Sequence, residues 1–271
     1  MDNYGYLYNL YTPDGQVDDF IFHKQFVTSY KSLKEHVPQA NVTLHTNVTF
    51  DNVYGIDNVI HDENIDKRLI SKAHALLKSP YERTIFIDVD IFVHNDTIND
   101  IFHILDEFDY TACHGFGAPY QGNIYPDLNT GLLGVKHSPK VKSQLELWIK
   151  KYDEMYDEFG HNDQTSFRDH IFMNNKKSFY MLPPNFQHRW QHLCGYITNI
   201  VCTHNRSMNK DHVTTKTIES WSSVMIREIE KKMNTIQHQV RTVKNNVDMS
   251  RTVKHLSNKV NNIFNQLREL Q

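Results

Sequence analysis

The sequence predicts an α/β fold, a mostly parallel sheet flanked by helices, with a long helical extension after it. Three observations carry this. Over the first 210 residues, short apolar segments alternate with segments of helical length, and Pro and Gly punctuate them, as strands joined by crossover helices do. Hydrophobic residues make up 39% and aromatic residues 12% of the 271, enough for a sizeable core and too much for wholesale disorder. From residue 214 onward Gly and Pro vanish and a new apolar period takes over.

Residues 4–11 (YGYLYNLY) read as a first strand that ends at the turn signal Thr12-Pro13-Asp14-Gly15. Helical spacing runs through Phe22, Phe26, Tyr30 and Leu33, so a helix is expected over 18–36, closed by Pro38. Residues 41–46 read as a second strand. A helix is expected over about 63–78, with Ile65, Leu69, Ala73, Leu76 and Leu77 inward, and Pro80 leads into the strand 84–88. A helix near 97–106 and a strand near 109–114 follow, then a loop rich in Gly, Pro and Tyr (115–127). Asn129-Thr130-Gly131 leads into a strand at 132–135. Helices are expected over 139–158, with Pro139 in the first turn, and over 162–173, opened by Asn162. Residues 178–203 read as an aromatic, loop-rich stretch that enters the strand NIVCTH.

The expected domains are residues 1–210 and a tail, 214–271. In the tail Met225, Ile229, Met233, Ile236, Val240, Val243 and Val247 recur mostly four and three apart, and the pattern resumes from Val253 to Leu270 after a stammer-like step. Such a seam, rich in β-branched residues, is marginal as an isolated helix and wants a partner. Self-association into a homo-oligomer is the first expectation and folding back on the first domain the second. Peripheral membrane contact is the third, because the segment is basic.

Net charge is −3, so no global electrostatics favours nucleic acid. No apolar run reaches the ~18 residues of a membrane span. Met1-Asp2-Asn3-Tyr4 lacks a signal-peptide pattern, and Cys113, Cys194 and Cys202 have no metal-finger spacing. A cytoplasmic protein in a reducing compartment is the expectation.

The chemistry concentrates at YERTIFIDVDIFVHN, residues 81–95. An apolar strand ends in Asp88-Val89-Asp90. In extended geometry the two carboxylates point to one side and Val89 to the other. At 4–5 Å they repel by roughly 3–4 kcal/mol at an effective dielectric near 20, so one is protonated or a cation sits between them. A hard divalent cation beside a diphosphate fits oxygen ligands at the end of a strand. A bare turn at the end of a strand fits the triplet too.

The wider pattern resembles the GT-A glycosyltransferases, nucleotide-diphospho-sugar transferases of the family-8-like type. SKAHALLKSPYERTIFIDVDIFV is similar to their core, LNTGLLGV to their Asn-x-Gly strand, HNDQTSF to their Asp-Gln segment and IVCTHNRS to their late metal-binding histidine. The resemblance covers residues 4–206 in the family's order. It implies transfer of a sugar from a nucleotide-sugar donor, UDP-linked in the first reading, to a glycan or other hydroxyl acceptor, with Mn2+ or Mg2+ held by Asp88, Asp90 and His204. Spacing alone leaves His204 an ordinary histidine among 17.

For the nucleotide sugar the resemblance implies Tyr11, Thr12, Arg68, Lys72, Asp88, Val89, Asn129, Thr130 and Gly131. A solvated basic face (Arg68 and Lys72, four apart), a core tyrosine (Tyr11) and a turn (Asn129 to Gly131) remain the bland alternatives. Asp163 and Gln164 are the catalytic candidates; helix capping explains an acid there equally well. In an inverting enzyme Asp163 is a general base; in a retaining one it steadies an oxocarbenium-like centre. His188, Arg189 and Trp190 form the candidate acceptor wall, or a loop that only packs. The family more often has Asn-aromatic-Arg in this stretch, which leaves the roles of Gln187 and Arg189 open. Two other readings compete: a haloacid-dehalogenase-like phosphotransferase with Asp88 as nucleophile, and an inactive scaffold oligomerised by the tail.

Overall fold

Alternation along β1 (Tyr4–Leu10) sets the two sides of the molecule: Tyr6, Tyr8 and Leu10 enter one apolar layer and Leu7 the other, the period of two of an extended chain. The computed structural model describes residues 3–12, 21–48, 55–115, 128–157, 162–188, 199–204, 233–238 and 257–262. α1 (Ile21–His36) precedes β2 (Val42–Thr46) and β3 (Asn58–His61). α2 (Ser71–Leu77) leads into β4 (Arg83–Ile87), which puts Ile85 and Ile87 on the first side and Phe86 on the second. Then come β5 (Ile91–Val93), α3 (Asp100–Glu107), β6 (Tyr110–His114), β7 (Leu128–Lys136), α4 (Pro139–Met155), α5 (Asp163–Phe167), β8 (Phe179–Leu182) and β9 (Cys202–His204).

The main sheet has seven strands in the order β3-β2-β1-β4-β7-β6-β8. Six run parallel, and β7 runs against both of its neighbours. The expectation of a mostly parallel sheet therefore holds with one reversed strand. β5 and β9 form a separate antiparallel pair. Phe26, Tyr30 and Leu33 of α1 and Ile101 and Leu105 of α3 cover the first side; Ala73 and Leu76 of α2 and Val141, Leu145 and Trp148 of α4 cover the second. α4 starts where Ser138 Oγ accepts from Val141 N at 3.2 Å, with Pro139 behind it, a polar cap and a preset φ. Trp148 is fully buried, packs edge-on against Phe167 at 4.8 Å and donates from Nε1 to Ser166 Oγ at 3.0 Å. That places burial worth ~3 kcal/mol at the α4–α5 contact without leaving its N–H unmade.

Several elements differ from expectation. The helix expected over 63–78 begins only at Ser71. Asp66 Oδ1 accepts from the Arg68 backbone N–H at 2.9 Å and from its Nε at 3.0 Å, and this local closure competes with the helix ladder. Leu69, expected inward, is consequently 43% exposed. The helix expected over 162–173 passes into a π turn at Arg168–Phe172. β3, β5 and β8 were not expected. They are short, and β3 is mostly exposed, so neither length nor alternation betrays them. Asn129-Thr130-Gly131 lies inside β7, and the strand expected over 132–135 is nine residues long.

The chain divides into two units, residues 1–213 and 214–271. In the second unit residues 233–238 and 257–262 are helical, and Ile236 is 48% exposed. The rest of the seam expected there lies outside the described residues. Among the described residues no helix is long and apolar enough to cross a membrane.

Candidate active site

β1, β2 and β4 end, and the reversed β7 begins, at one edge of the sheet. β4 stops at Ile87, and the Asp88 N–H still donates to Gly131 O at 2.7 Å. Asp88 O then accepts from Ile91 N at 3.1 Å, so Val89 and Asp90 sit in a tight turn. The two carboxylates were expected together through extended geometry. They come together, but the turn does it. β9 pairs with β5 so that His204 lies opposite Ile91. This register carries a residue from far along the chain to the turn, with His204 Nε2 3.0 Å from Asp90 Oδ1. Asp88, Asp90 and His204 each offer a ligand atom, and these atoms lie within 4.8 Å of one another.

Gly131 makes room for this. A Cβ there would stand 2.6 Å from His204 Cε1, 2.9 Å from Asp88 Oδ2 and 2.9 Å from Gln187 Nε2. Any side chain at 131 pushes apart the groups that the turn and the β5–β9 pair bring together.

Lys72, the second residue of α2, is buried among carboxylates. Its Nζ lies 3.3 Å from each Asp88 carboxylate oxygen, 3.4 Å from Asp163 Oδ2 and 3.2 Å from Thr130 Oγ1. Thr130 Oγ1 donates to Asp163 Oδ2 at 2.6 Å. Burial works against the ammonium, but Asp163 and Asp88 outweigh it and hold the Lys72 pKa above the ordinary lysine value. Burial pushes the Asp88 carboxyl up; Lys72 pulls it down, and Asp90 adds to the rise. Two carboxylates, Asp88 and Asp163, thus face one ammonium, and Asp90 lies beside Asp88 and His204. Like charges near 4 Å repel by ~4 kcal/mol at an effective dielectric of 20, and a divalent cation beside Asp88 and Asp90 would relieve that repulsion. The donor set of two carboxylates and an imidazole could hold a divalent cation.

Asp163 opens α5, but the cap is made by its neighbour: Asn162 Oδ1 accepts from Gln164 N at 3.0 Å. Asp163 is left to Thr130 and Lys72, and Gln164 is half-buried behind it. At the end of β1, Thr12 and Asn47 clamp each other through Thr12 N to Asn47 Oδ1 (3.0 Å) and Asn47 Nδ2 to Thr12 O (2.8 Å). Thr12 Oγ1 is buried without a hydrogen-bond partner. The Tyr11 phenol is raised by burial and feels Lys72, Asp88 and Asp163, which places it beside the same charges.

Arg68 is engaged differently from the basic pair expected on one helix face. It lies outside α2, its guanidinium is held by Asp66 (2.6 Å) and Asp153 (2.8 Å), and it stacks over Tyr152 and Tyr156. With Asp62, Asn64, Asp66, His74 and Asp153 it lines a cavity of about 440 Å3. His188 is half-buried; its N–H donates to Cys202 O and its O accepts from His204 N, both at 2.9 Å. Arg189 and Trp190 lie outside the described residues.

Two polar residues in this neighbourhood escaped sequence reasoning. Gln187, left without a role, is buried, and its Nε2 reaches Asn129 Oδ1 at 2.7 Å and His204 Nδ1 at 2.8 Å. Asn9 Nδ2 donates to Ser71 Oγ at 2.6 Å and its Oδ1 meets His45 Nδ1 at 2.8 Å. An amide in an otherwise apolar strand was the available signal for Asn9.

No family model matches this chain, and no curated protein matches it. Solved structures do. The glycosyltransferase GlyE of Streptococcus pneumoniae TIGR4 aligns with a TM-score of 0.58 at 13% identity over 85% of this chain and 64% of GlyE. Mouse xyloside xylosyltransferase 1 aligns at 0.53 and 14% identity over 76% of this chain and 99% of that one. The galactosyltransferase LgtC, solved with donor and acceptor sugar analogs, aligns at 0.52 and 12% identity over 82% and 95%. The chain thus spans less than two thirds of GlyE. It shares the GT-A fold of these glycosyltransferases.

Proposed function

We propose that residues 1–213 form a metal-dependent glycosyltransferase that moves a sugar from a nucleoside-diphosphate sugar, UDP-linked, to a hydroxyl of a glycan, protein or lipid. The observation that carries the proposal is the convergence of Asp88, Asp90 and His204 into one cluster of candidate ligands, with Lys72 held against Asp88 and Asp163 beside it. A fold alone does not give a reaction; this cluster of oxygen and nitrogen donors is one that could hold a cation. The dehalogenase-like alternative finds no support in the GT-A fold.

In the transfer, the bond between the anomeric carbon and the diphosphate breaks and the diphosphate keeps the electron pair. The acceptor oxygen forms the new bond and loses its proton. Asp88, Asp90 and His204 would hold Mn2+ or Mg2+, whose chemistry is to neutralise the departing diphosphate as a Lewis acid. Lys72, already inside the site, adds a fixed positive charge where that negative charge grows. Asp163, steadied by Thr130 and Lys72, either takes the acceptor's proton or supports the anomeric carbon, with Gln164 beside it; the anomer of the product decides which. Tyr11 and Thr12 face the nucleotide, Val89 and Asn129 to Gly131 the donor, and His188 the acceptor side.

The test is calorimetry of the full chain with Mn2+ and UDP, followed by a sugar-nucleotide panel read by released nucleoside diphosphate. Metal-dependent UDP binding is expected, and it should vanish in Asp90→Ala and His204→Ala. Binding of UDP unaffected by metal, or no binding, sinks the proposal and favours a scaffold.

Residues 214–271 form a homo-oligomerising helical tail in this reading, supported by the apolar period and by exposed Ile236. Deleting them should lower the subunit number by light scattering and leave UDP binding in place.

A further inference from the structure

One nitrogen of Gln187 touches two partners, and the order of donors and acceptors around it is forced. The backbone N–H of Gly131 donates to the Asn129 side chain at 2.8 Å, so the atom it meets is the oxygen, Oδ1. The Gln187 atom 2.7 Å from that oxygen is then the amide nitrogen, Nε2. The same nitrogen lies 2.8 Å from His204 Nδ1. An amide nitrogen donates and does not accept, so Nδ1 is the acceptor and carries no proton. In a neutral imidazole the proton is therefore on Nε2, facing Asp90 Oδ1 at 3.0 Å.

A metal ligand needs the reverse. Nε2 must offer its lone pair, and the proton belongs on Nδ1, held by an acceptor behind the ring. That acceptor exists and points elsewhere: Gln187 Oε1 is buried and has no hydrogen-bond partner. Buried polar atoms in that state are uncommon and ask for an explanation.

We propose that Gln187 sets the tautomer of His204, holding it in the form that cannot bind a cation until the amide turns its carbonyl oxygen toward Nδ1. This rests on the metal reading of Asp88, Asp90 and His204. On turning, the proton leaves Nε2 while one is taken up at Nδ1, and the imidazole stays neutral. The turn breaks the Gln187–Asn129 bond, which therefore opposes it in the metal-free protein. Gln187 is a positioning residue: it acts through His204.

The test is long-range 1H–15N correlation spectroscopy of the labelled full chain without metal, with the His204 signals identified by their absence from His204→Gln. The wild type is expected to show the Nε2–H form and to pass to the Nδ1–H form on titration with Mg2+. As a carboxylate, the side chain of Gln187→Glu can only accept from Nδ1. The variant is expected to show the Nδ1–H form without metal, and to bind Mn2+ about tenfold more tightly by calorimetry. An Nδ1–H form in the metal-free wild type overturns the proposal. So does an Nε2–H form that persists in Gln187→Glu or in the Mg2+-loaded protein. If the Nε2–H form is seen but neither Mg2+ nor Mn2+ binds, the metal reading itself falls, a failure the spectrum separates from failure of the switch.

Discussion

Lys72 and Lys78 stand six residues apart at the same edge of the sheet, and each meets a carboxylate that follows a strand. Lys78, 43% exposed, pairs with Asp62 after β3, and Asp62 also meets His45 Nε2 at 3.1 Å. One ammonium faces one carboxylate in water, an arrangement worth ~0–1 kcal/mol. Lys72, 8% exposed, faces Asp88 and Asp163 with Asp90 next to them. Asp88 there is 26% exposed, and burial, together with the like charge of Asp90, raises its pKa. The difference lies in what surrounds each ammonium: one carboxylate at the surface, against two carboxylates beside a cluster that could hold a metal.

Removing each ammonium tests the contrast most strongly. Lys72→Met keeps the stem and deletes the charge, leaving Asp163 and Asp88 without their shared cation. Breaking a buried pair this way costs about 3–5 kcal/mol, read as unfolding free energy in urea, and Mn2+ should restore part of it. Lys78→Met should cost under ~1 kcal/mol. Equal losses in the two variants would erase the distinction.

The next effect comes from space and not from charge. Gly131→Ala inserts a methyl against His204 and Asp88; overpacking of this kind costs about 1–3 kcal/mol. Mn2+ affinity should fall at least about tenfold as the ligands are spread. Gly134→Ala is the control: its Cβ meets Thr111 Oγ1 at 2.5 Å and Ile101 Cγ2 at 2.7 Å, away from the site. It should lose stability and keep its Mn2+ affinity. If both alanines weaken Mn2+ alike, the cradle at 131 has no special part.

On the Lys72 side of this contrast the motifs were legible in the sequence; the Lys78 side was not read there, and what was hidden has a physical reason. The apolar run of β4 and the acids after it are local signals, and so are the Asn-x-Gly and Asp-Gln segments. The late histidine needed family order, because only the β5–β9 register brings it to Asp90. Lys72 lies against Asp88 and Asp163, and Arg68 was paired with it on the assumption of a longer helix. The Asp66–Arg68 closure that shortens α2 is a competition between side chain and ladder that periodicity does not register. Gln187 was invisible for a different reason. Its partners come from β7 and β9, and nothing near it in the chain announces them. The short strands β3, β5 and β8 are made by their neighbours more than by their own residues.

The smallest expected effect lies in the balanced cluster and concerns acid. The His45 ring is fully buried between Asn9 and Asp62. Burial lowers its pKa below the ordinary histidine value; Asp62 pulls it up, and Lys78 pushes it down again. A histidine with a depressed folded pKa contributes stability above its unfolded value, and that contribution is lost as pH falls toward the folded value. The wild type should therefore lose Tm between about pH 7 and pH 5, where unfolded histidine takes up its proton. His45→Gln keeps a polar group of similar reach and cannot titrate, so its acid limb should be flatter. Each kcal/mol at this position moves Tm by ~2–4 °C in a domain of this size. UDP and Mn2+ affinities at pH 7.5 should be unchanged in His45→Gln, because the cluster's charges already balance without a ligand. A variant with the wild-type acid limb would place that pH dependence elsewhere. A variant that loses Mn2+ affinity would join the two clusters into one electrostatic unit.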